Sequence, residues 1–149
     1  MSVKLTVTLY ANLYETTPLE TRTIGWSEFT NIFCELGWRK AYRGKALTKK
    51  KDLPLWSPIK LIEGKTRHST SVEYVSALVL DYDGNADSSD IESVWGDWLM
   101  CIHTTWNHTA ELPRFRVVLP LLRDVDRREY ERIIRWAMSR SDKLGLKAD

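Results

Sequence analysis

The segment Val75-Ser-Ala-Leu-Val-Leu-Asp-Tyr-Asp-Gly84 constrains the fold more than any other part of the chain. Ala77, Leu78, Val79 and Leu80 follow one another with no polar break, and a glycine closes the run. A short apolar run ending at a turn residue has the pattern of a strand covered on both faces. Side chains two apart on a strand share a side. Asp81 and Asp83 are therefore expected side by side where this strand leaves the core. Like charges so placed repel, and a divalent cation relieves the repulsion. Hard carboxylate oxygens suit Mg²⁺, Mn²⁺ or Ca²⁺.

From residue 74 onward the pattern is regular. It reads as a strand over Tyr74–Tyr82, then a helix from about Ser89 to Trp98 with Ile91, Val94, Trp95 and Trp98 on one face. A strand follows over Leu99–Thr104, then a turn-like segment over Trp106–Pro113 and a strand over Arg114–Leu121. The last helix runs from about Asp126 to Ser141. Asp126-x-x-Glu129 has capping-box spacing, and Tyr130, Ile133, Ile134, Ala137 and Met138 form its apolar stripe. The order β-α-β-β-α lacks one strand of the ferredoxin-like βαββαβ unit. Either the N-terminal strand closes the sheet, or the chain is a fragment of a longer protein.

Before residue 74 the signals are sparser. Val3 to Tyr10 alternates Val and Leu with Lys and Thr, as a half-buried strand does. Ser27 is positioned to cap a helix from about Glu28 to Leu36, and Gly37 stops it. A basic stretch, Arg39 to Lys65, reads as a loop or arm with a short strand near Ile59–Ile62. Its Lys45, Lys49, Lys50 and Lys51 are candidates for contact with a nucleic-acid backbone, with Trp56 nearby to stack a base. Residues 1–73 are thus expected as an N-terminal αβ extension packed on a palm formed by residues 74–149. The expected fold class is α+β, an RRM-like or ferredoxin-like palm, most simply in one compact domain.

The 149 residues suffice for one domain with a substantial core. Net charge is only +2, so a nucleic-acid partner must be argued from local patches. No apolar run approaches 18 residues, and the N-terminus lacks a signal-peptide core, so a cytoplasmic protein with no membrane partner is expected. Cys34 and Cys101 stand apart in apolar contexts and read as buried thiols. Arg127, Arg128, Arg132 and Arg135 interleave with Glu129 and Glu131 and read as a solvated helix face.

The acidic pair alone fits several chemistries. Asp81, Asp83, Asn85, Asp87, Ser89 and Glu92 match the ligand positions of a calcium-binding EF-hand loop, but Ala86 stands where that loop needs glycine, and a strand precedes it. Asp81-Tyr-Asp83-Gly-Asn85 is similar to the haloacid-dehalogenase phosphatase motif, though few residues follow it. An ordinary turn is a further reading. Two-metal nucleotidyl transfer is the last.

The surrounding residues favour nucleotidyl transfer. The stretch Ile102-His-Thr-Thr-Trp-Asn-His108-Thr-Ala-Glu-Leu-Pro-Arg114-Phe-Arg116-Val-Val-Leu-Pro-Leu121 follows the Asp-x-Asp strand. Together they resemble the archaeo-eukaryotic primases, in the subgroup found in plasmid and phage replication proteins. The resemblance covers residues 74 to about 146. It implies that Asp81 and Asp83 bind Mg²⁺ or Mn²⁺, that His108 contacts the incoming nucleotide, and that a third acidic ligand falls near the final strand, at Asp149 or Asp142. Arg114 and Arg116, two apart on a strand, are placed to hold phosphates bidentately. His103 reads as structural. The implied function is primer synthesis or extension in DNA replication. DNA template and nucleoside triphosphates would be its partners, with a helicase domain or subunit beside it. The competing expectation is a non-catalytic replication-initiator or DNA-binding module that retains the palm.

Overall fold

The structure, a computed structural model, describes residues 2–35, 53–84 and 86–149. Among the described residues seven strands form two antiparallel sheets. In chain order they are β1 (Lys4–Tyr10), β2 (Glu20–Gly25), β3 (Leu55–Ser57), β4 (Ile59–Leu61), β5 (Val72–Asp83), β6 (Cys101–Thr104) and β7 (Arg114–Val125). The helices are α1 (Trp26–Phe29), which runs on into a π-helical turn at Thr30–Glu35, α2 (Ser88–Trp95) and α3 (Arg127–Lys143). The first sheet has the order β2-β1-β3 and the second β4-β5-β7-β6. The fold is α+β, and the β5-α2-β6-β7-α3 succession on an all-antiparallel sheet is that of a ferredoxin-like palm.

β5 is apolar from Ala77 to Leu80 because both of its faces are covered there. Leu78, Leu80 and Tyr82 face α2 and α3, packing with Ile91, Val94, Trp95, Val117, Leu119 and Ala137. Ala77, with Val79 at its edge, faces the first sheet, where Leu5, Val7, Ile24, Phe29 and Trp56 meet Val118. Ser76 joins the two layers. Its buried hydroxyl accepts from the Thr6 amide at 3.0 Å and donates to the Thr6 carbonyl at 2.9 Å.

The helix-side core holds a small buried polar cluster centred on the Tyr82 hydroxyl. This hydroxyl accepts from Trp95 Nε1 at 2.9 Å and lies 2.6 Å from Ser141 Oγ. One phenol thereby ties β5 to both helices.

Several expectations are corrected. The N-terminal strand does not close the palm sheet: β1 pairs with β2 and β3 in a sheet of its own. Part of the sheet edge is instead taken by β4, against Val72–Val75. Ser27 does not cap α1, which starts one residue earlier with Gly25 at its N-cap and no side-chain bond there. Asp126 caps α3 through the Glu129 amide at 2.8 Å, but the Glu129 carboxylate pairs with Arg123, so the capping box is only half made. Trp56 is buried between the sheets, its ring edge-on to Phe29 at 5.2 Å, and offers no face to a base. Cys101 is disulfide-bonded and is no free thiol. The side chain of Cys34, also read as a buried thiol, lies outside the described residues. Lys45, Lys49, Lys50 and Lys51 lie outside the described residues. Among the described residues no helix is long and apolar enough to cross a membrane.

Tyr82→Phe leaves Trp95 Nε1 and Ser141 without their shared partner in a dry core. We expect a loss of about 2 kcal/mol, and hence a thermal midpoint lower by several degrees, measurable by circular dichroism.

Candidate active site

The alternation of β5 sets the site. Because Leu78, Leu80 and Tyr82 face the helices, Asp81 and Asp83 face the other side, beyond the area that the first sheet covers. The next strand supplies their counter-charges. Arg116 stands opposite Asp81, and Arg114 opposite Asp83. Directly opposed residues in an antiparallel pair share a face. Arg116 grips Asp81 with both prongs, Nε to Oδ1 at 2.7 Å and a terminal nitrogen to Oδ2 at 2.8 Å. Arg114 lies 2.9 Å from Asp83.

Asp149 joins the same row. Its amide and carbonyl exchange hydrogen bonds with those of Asp81, at 3.0 and 2.8 Å. This double bond to Asp149 leaves Asp81 and Arg116 as a non-hydrogen-bonded pair, the kind in which side chains approach most closely. On the far side of Arg116 the register places His103. One row across the sheet thus reads Asp149, Asp81, Arg116, His103, and the next holds Asp83 and Arg114.

The pairing has electrostatic consequences. The Asp81 carboxylate raises the pKa of Arg116 further above its ordinary value, and this outweighs the opposing effect of burial. The carboxylates of Asp81 and Asp83 remain 32 and 44 % exposed, so the pairs can be reached from solvent. Arg114 Nε is buried and has no acceptor among the described residues, an unmet donor in a site otherwise saturated with ion pairs.

His108 lies in the turn between β6 and β7. Its Nδ1 accepts from the Arg114 amide at 3.1 Å, and its ring meets Phe115 edge-on at 5.2 Å. In the neutral ring this leaves the proton on Nε2. The histidine therefore braces the entry to the strand that carries both arginines. The exit from β5 is equally fixed. Gly84 has φ of 85°, donates to the Pro113 carbonyl at 2.8 Å, and a Cβ there would lie 2.6 Å from Leu112 Cδ1.

Of the residues singled out from sequence, Asp81, Asp83, Arg114, Arg116 and Asp149 come together on one sheet face. His108 reaches the group through the Arg114 backbone. His103, read as structural, stands beside Arg116 in the central row. Its signal was its parity: it lies two residues after Cys101 on a strand whose register with β7 sequence alone does not give. The EF-hand reading fails here, since Asp87 caps α2 through a complete capping box with Asp90. Among the described residues no group of three or more His, Cys, Asp or Glu side chains is gathered tightly enough to hold a metal ion.

Residues 41–147 match the VapE N-terminal domain. The chain belongs to that family. It is a family associated with phage and plasmid replication, so the domain has a replication-related role. The match spans β3 to α3 and includes Asp81, Asp83, His108, Arg114 and Arg116. No curated protein and no solved structure matches the chain.

Gly84→Ala forces a side chain onto a left-handed residue and against Leu112. We expect a destabilisation of about 1–2 kcal/mol, read as a lower midpoint in denaturant unfolding.

Proposed function

We propose that this VapE N-terminal domain is a metal-dependent nucleotidyltransferase of the primase–polymerase type. The observation that carries the reading is the shared face of Asp81, Asp83 and Asp149, with Arg114 and Arg116 interleaved. Carboxylate oxygens, part-exposed and on one side of a rigid sheet, suit Mg²⁺ or Mn²⁺. Asp81 and Asp83 would hold the ion, with Asp149 next in the row. Bound there, it would supply positive charge that lowers the pKa of an attacking 3′-hydroxyl and neutralises a triphosphate.

The arginines give the chain's own part in the chemistry. Each lies on a carboxylate that an ion would also claim. With Asp81 and Asp83 holding a cation, Arg116 and Arg114 would be available to donate to phosphate oxygens, a geometry their planar forks match. Arg114 Nε, already without an acceptor among the described residues, supports that role. His108 holds the backbone from which Arg114 projects. The sheet positions these groups, and the same charges serve the empty and the loaded site.

A second reading is a replication-initiator or DNA-binding module without catalysis. The observation favouring it is the complete neutralisation of Asp81 and Asp83 by arginine.

Two experiments test the proposal. Primer synthesis and extension with Mn²⁺ on single-stranded template should occur with the wild-type chain and fall to background in Asp81→Ala/Asp83→Ala. Activity surviving the double substitution sinks the catalytic assignment. Separately, Arg116→Gln removes one competitor for Asp81. Mn²⁺ affinity without nucleotide should rise several-fold, while triphosphate affinity with Mn²⁺ present should fall about tenfold. Both are read by isothermal titration calorimetry.

A further inference from the structure

The outward face of α3 carries Arg128, Arg132, Arg135, Ser139 and Lys143. Their spacing of four, three, four and four residues puts them in one row on a 3.6-residue helix, about 22 Å long. From sequence, Glu129 and Glu131 seem to neutralise this face. The structure assigns those acids elsewhere: Glu129 pairs with Arg123, and Glu131 with Arg127. Among the described residues no salt bridge reaches Arg128, Arg132, Arg135 or Lys143, although Arg132 and Glu129 attract each other at longer range. The three arginines line a shallow concavity whose flank carries Asp126 and Glu131.

Beside the row stand two part-exposed indoles. Trp136 on α3 is 51 % exposed and Trp98, after α2, is 41 % exposed. Their rings are 6.4 Å apart and steeply inclined to each other. They are fixed in place: both lie edge-on to the buried Trp95. Arg140 lies over Trp98 at 4.5 Å, its guanidinium tied to the Val94 carbonyl at 3.0 and 3.2 Å. Rigid aromatics next to unpaired guanidinium groups are the two components of a single-strand platform, in which cations follow the phosphates and ring faces take unpaired bases. The row itself is wholly polar, which suits a phosphate backbone.

We infer that this face binds single-stranded nucleic acid, with phosphates along the α3 arginines and bases against Trp98 and Trp136. It lies on the helix side of the palm sheet, opposite to Asp81 and Asp83, and is independent of the proposed catalysis.

The test is binding of labelled oligo(dT) of about 12 nucleotides to the full chain, by fluorescence anisotropy across a salt series without divalent cation. Arg132→Glu/Arg135→Glu should weaken binding at least about tenfold and reduce the slope of log affinity against log salt by about 1.4. Trp136→Ala should weaken binding about tenfold. Lys4→Glu/Arg22→Glu makes the same change in net charge on the other sheet and should leave affinity within about twofold. Circular dichroism checks that each variant folds, and the exposed arginine pair keeps the test usable if Trp136→Ala does not. Unchanged affinity in Arg132→Glu/Arg135→Glu overturns the inference. So does equal weakening by the control pair, tighter binding to an acidic peptide, or duplex DNA bound as tightly as the single strand.

Discussion

The Tyr82 hydroxyl, shared between Trp95 and Ser141, is the constraint on which the rest of this structure depends. A strand covered on both faces has little in its apolar residues to choose between its two sides, since Ala77, Leu78, Val79 and Leu80 would satisfy either. Tyr82 breaks that symmetry. Its phenol needs partners if it is to be buried, and Trp95 and Ser141 supply them on the helix side. With Tyr82 held there, the two-residue period of the strand sends Asp81 and Asp83 to the opposite face. A slip of one residue would bury two carboxylates and expose the tyrosine. The residue between the aspartates thus orients them.

That face would be electrostatically poor if it carried acids alone. β7 corrects this through register, with Arg116 and Arg114 falling opposite Asp81 and Asp83. Part-exposed ion pairs add little to stability. Their importance lies in what they do to the chemistry of the face. Each carboxylate is held in place by an arginine of the next strand. Under the proposed function, an entering cation would compete with those arginines for oxygen, and its binding would be linked to that of a polyphosphate.

The palm was largely legible in the sequence. The β5, α2, β6, β7 and α3 elements follow from an apolar run, two helical stripes and turn residues, all local signals. What stayed hidden depends on tertiary pairing. β2, Glu20–Gly25, has five of six residues polar or glycine and is a strand because β1 offers it a ladder. β3 and β4 are three residues each, too short for any period to register. That Arg114 and Arg116 share a strand face was legible; that Asp83 and Asp81 stand opposite them was not, since register between β5 and β7 is not written in either strand alone. Glu129 and Glu131 were credited to the α3 arginines by proximity in sequence. In the fold Glu129 turns to Arg123 outside the helix and Glu131 to Arg127 on it, which leaves Arg128, Arg132 and Arg135 without a salt bridge among the described residues. Trp56 illustrates the reverse error: an aromatic among lysines suggested a stacking surface, but the second sheet buries it.

The position of Asp149 follows from packing and not from any acidic motif. After α3 the chain turns at Gly145, whose φ of 78° suits a helix C-terminus. Leu146 and Ala148 are then both buried in the helix-side core. Burying residues 146 and 148 on one side commits Lys147 and Asp149 to the other, by the same alternation that governs Asp81 and Tyr82. The backbone pairing of Asp149 with Asp81 fixes the register of this alternation. Two apolar contacts therefore deliver a third carboxylate to the face that carries Asp81 and Asp83. The edge of β5 is shared between β4 at its start and Asp149 near its end. The acidic row forms at the one part of that edge where the helix-side core and the open face are both within reach of the chain leaving α3.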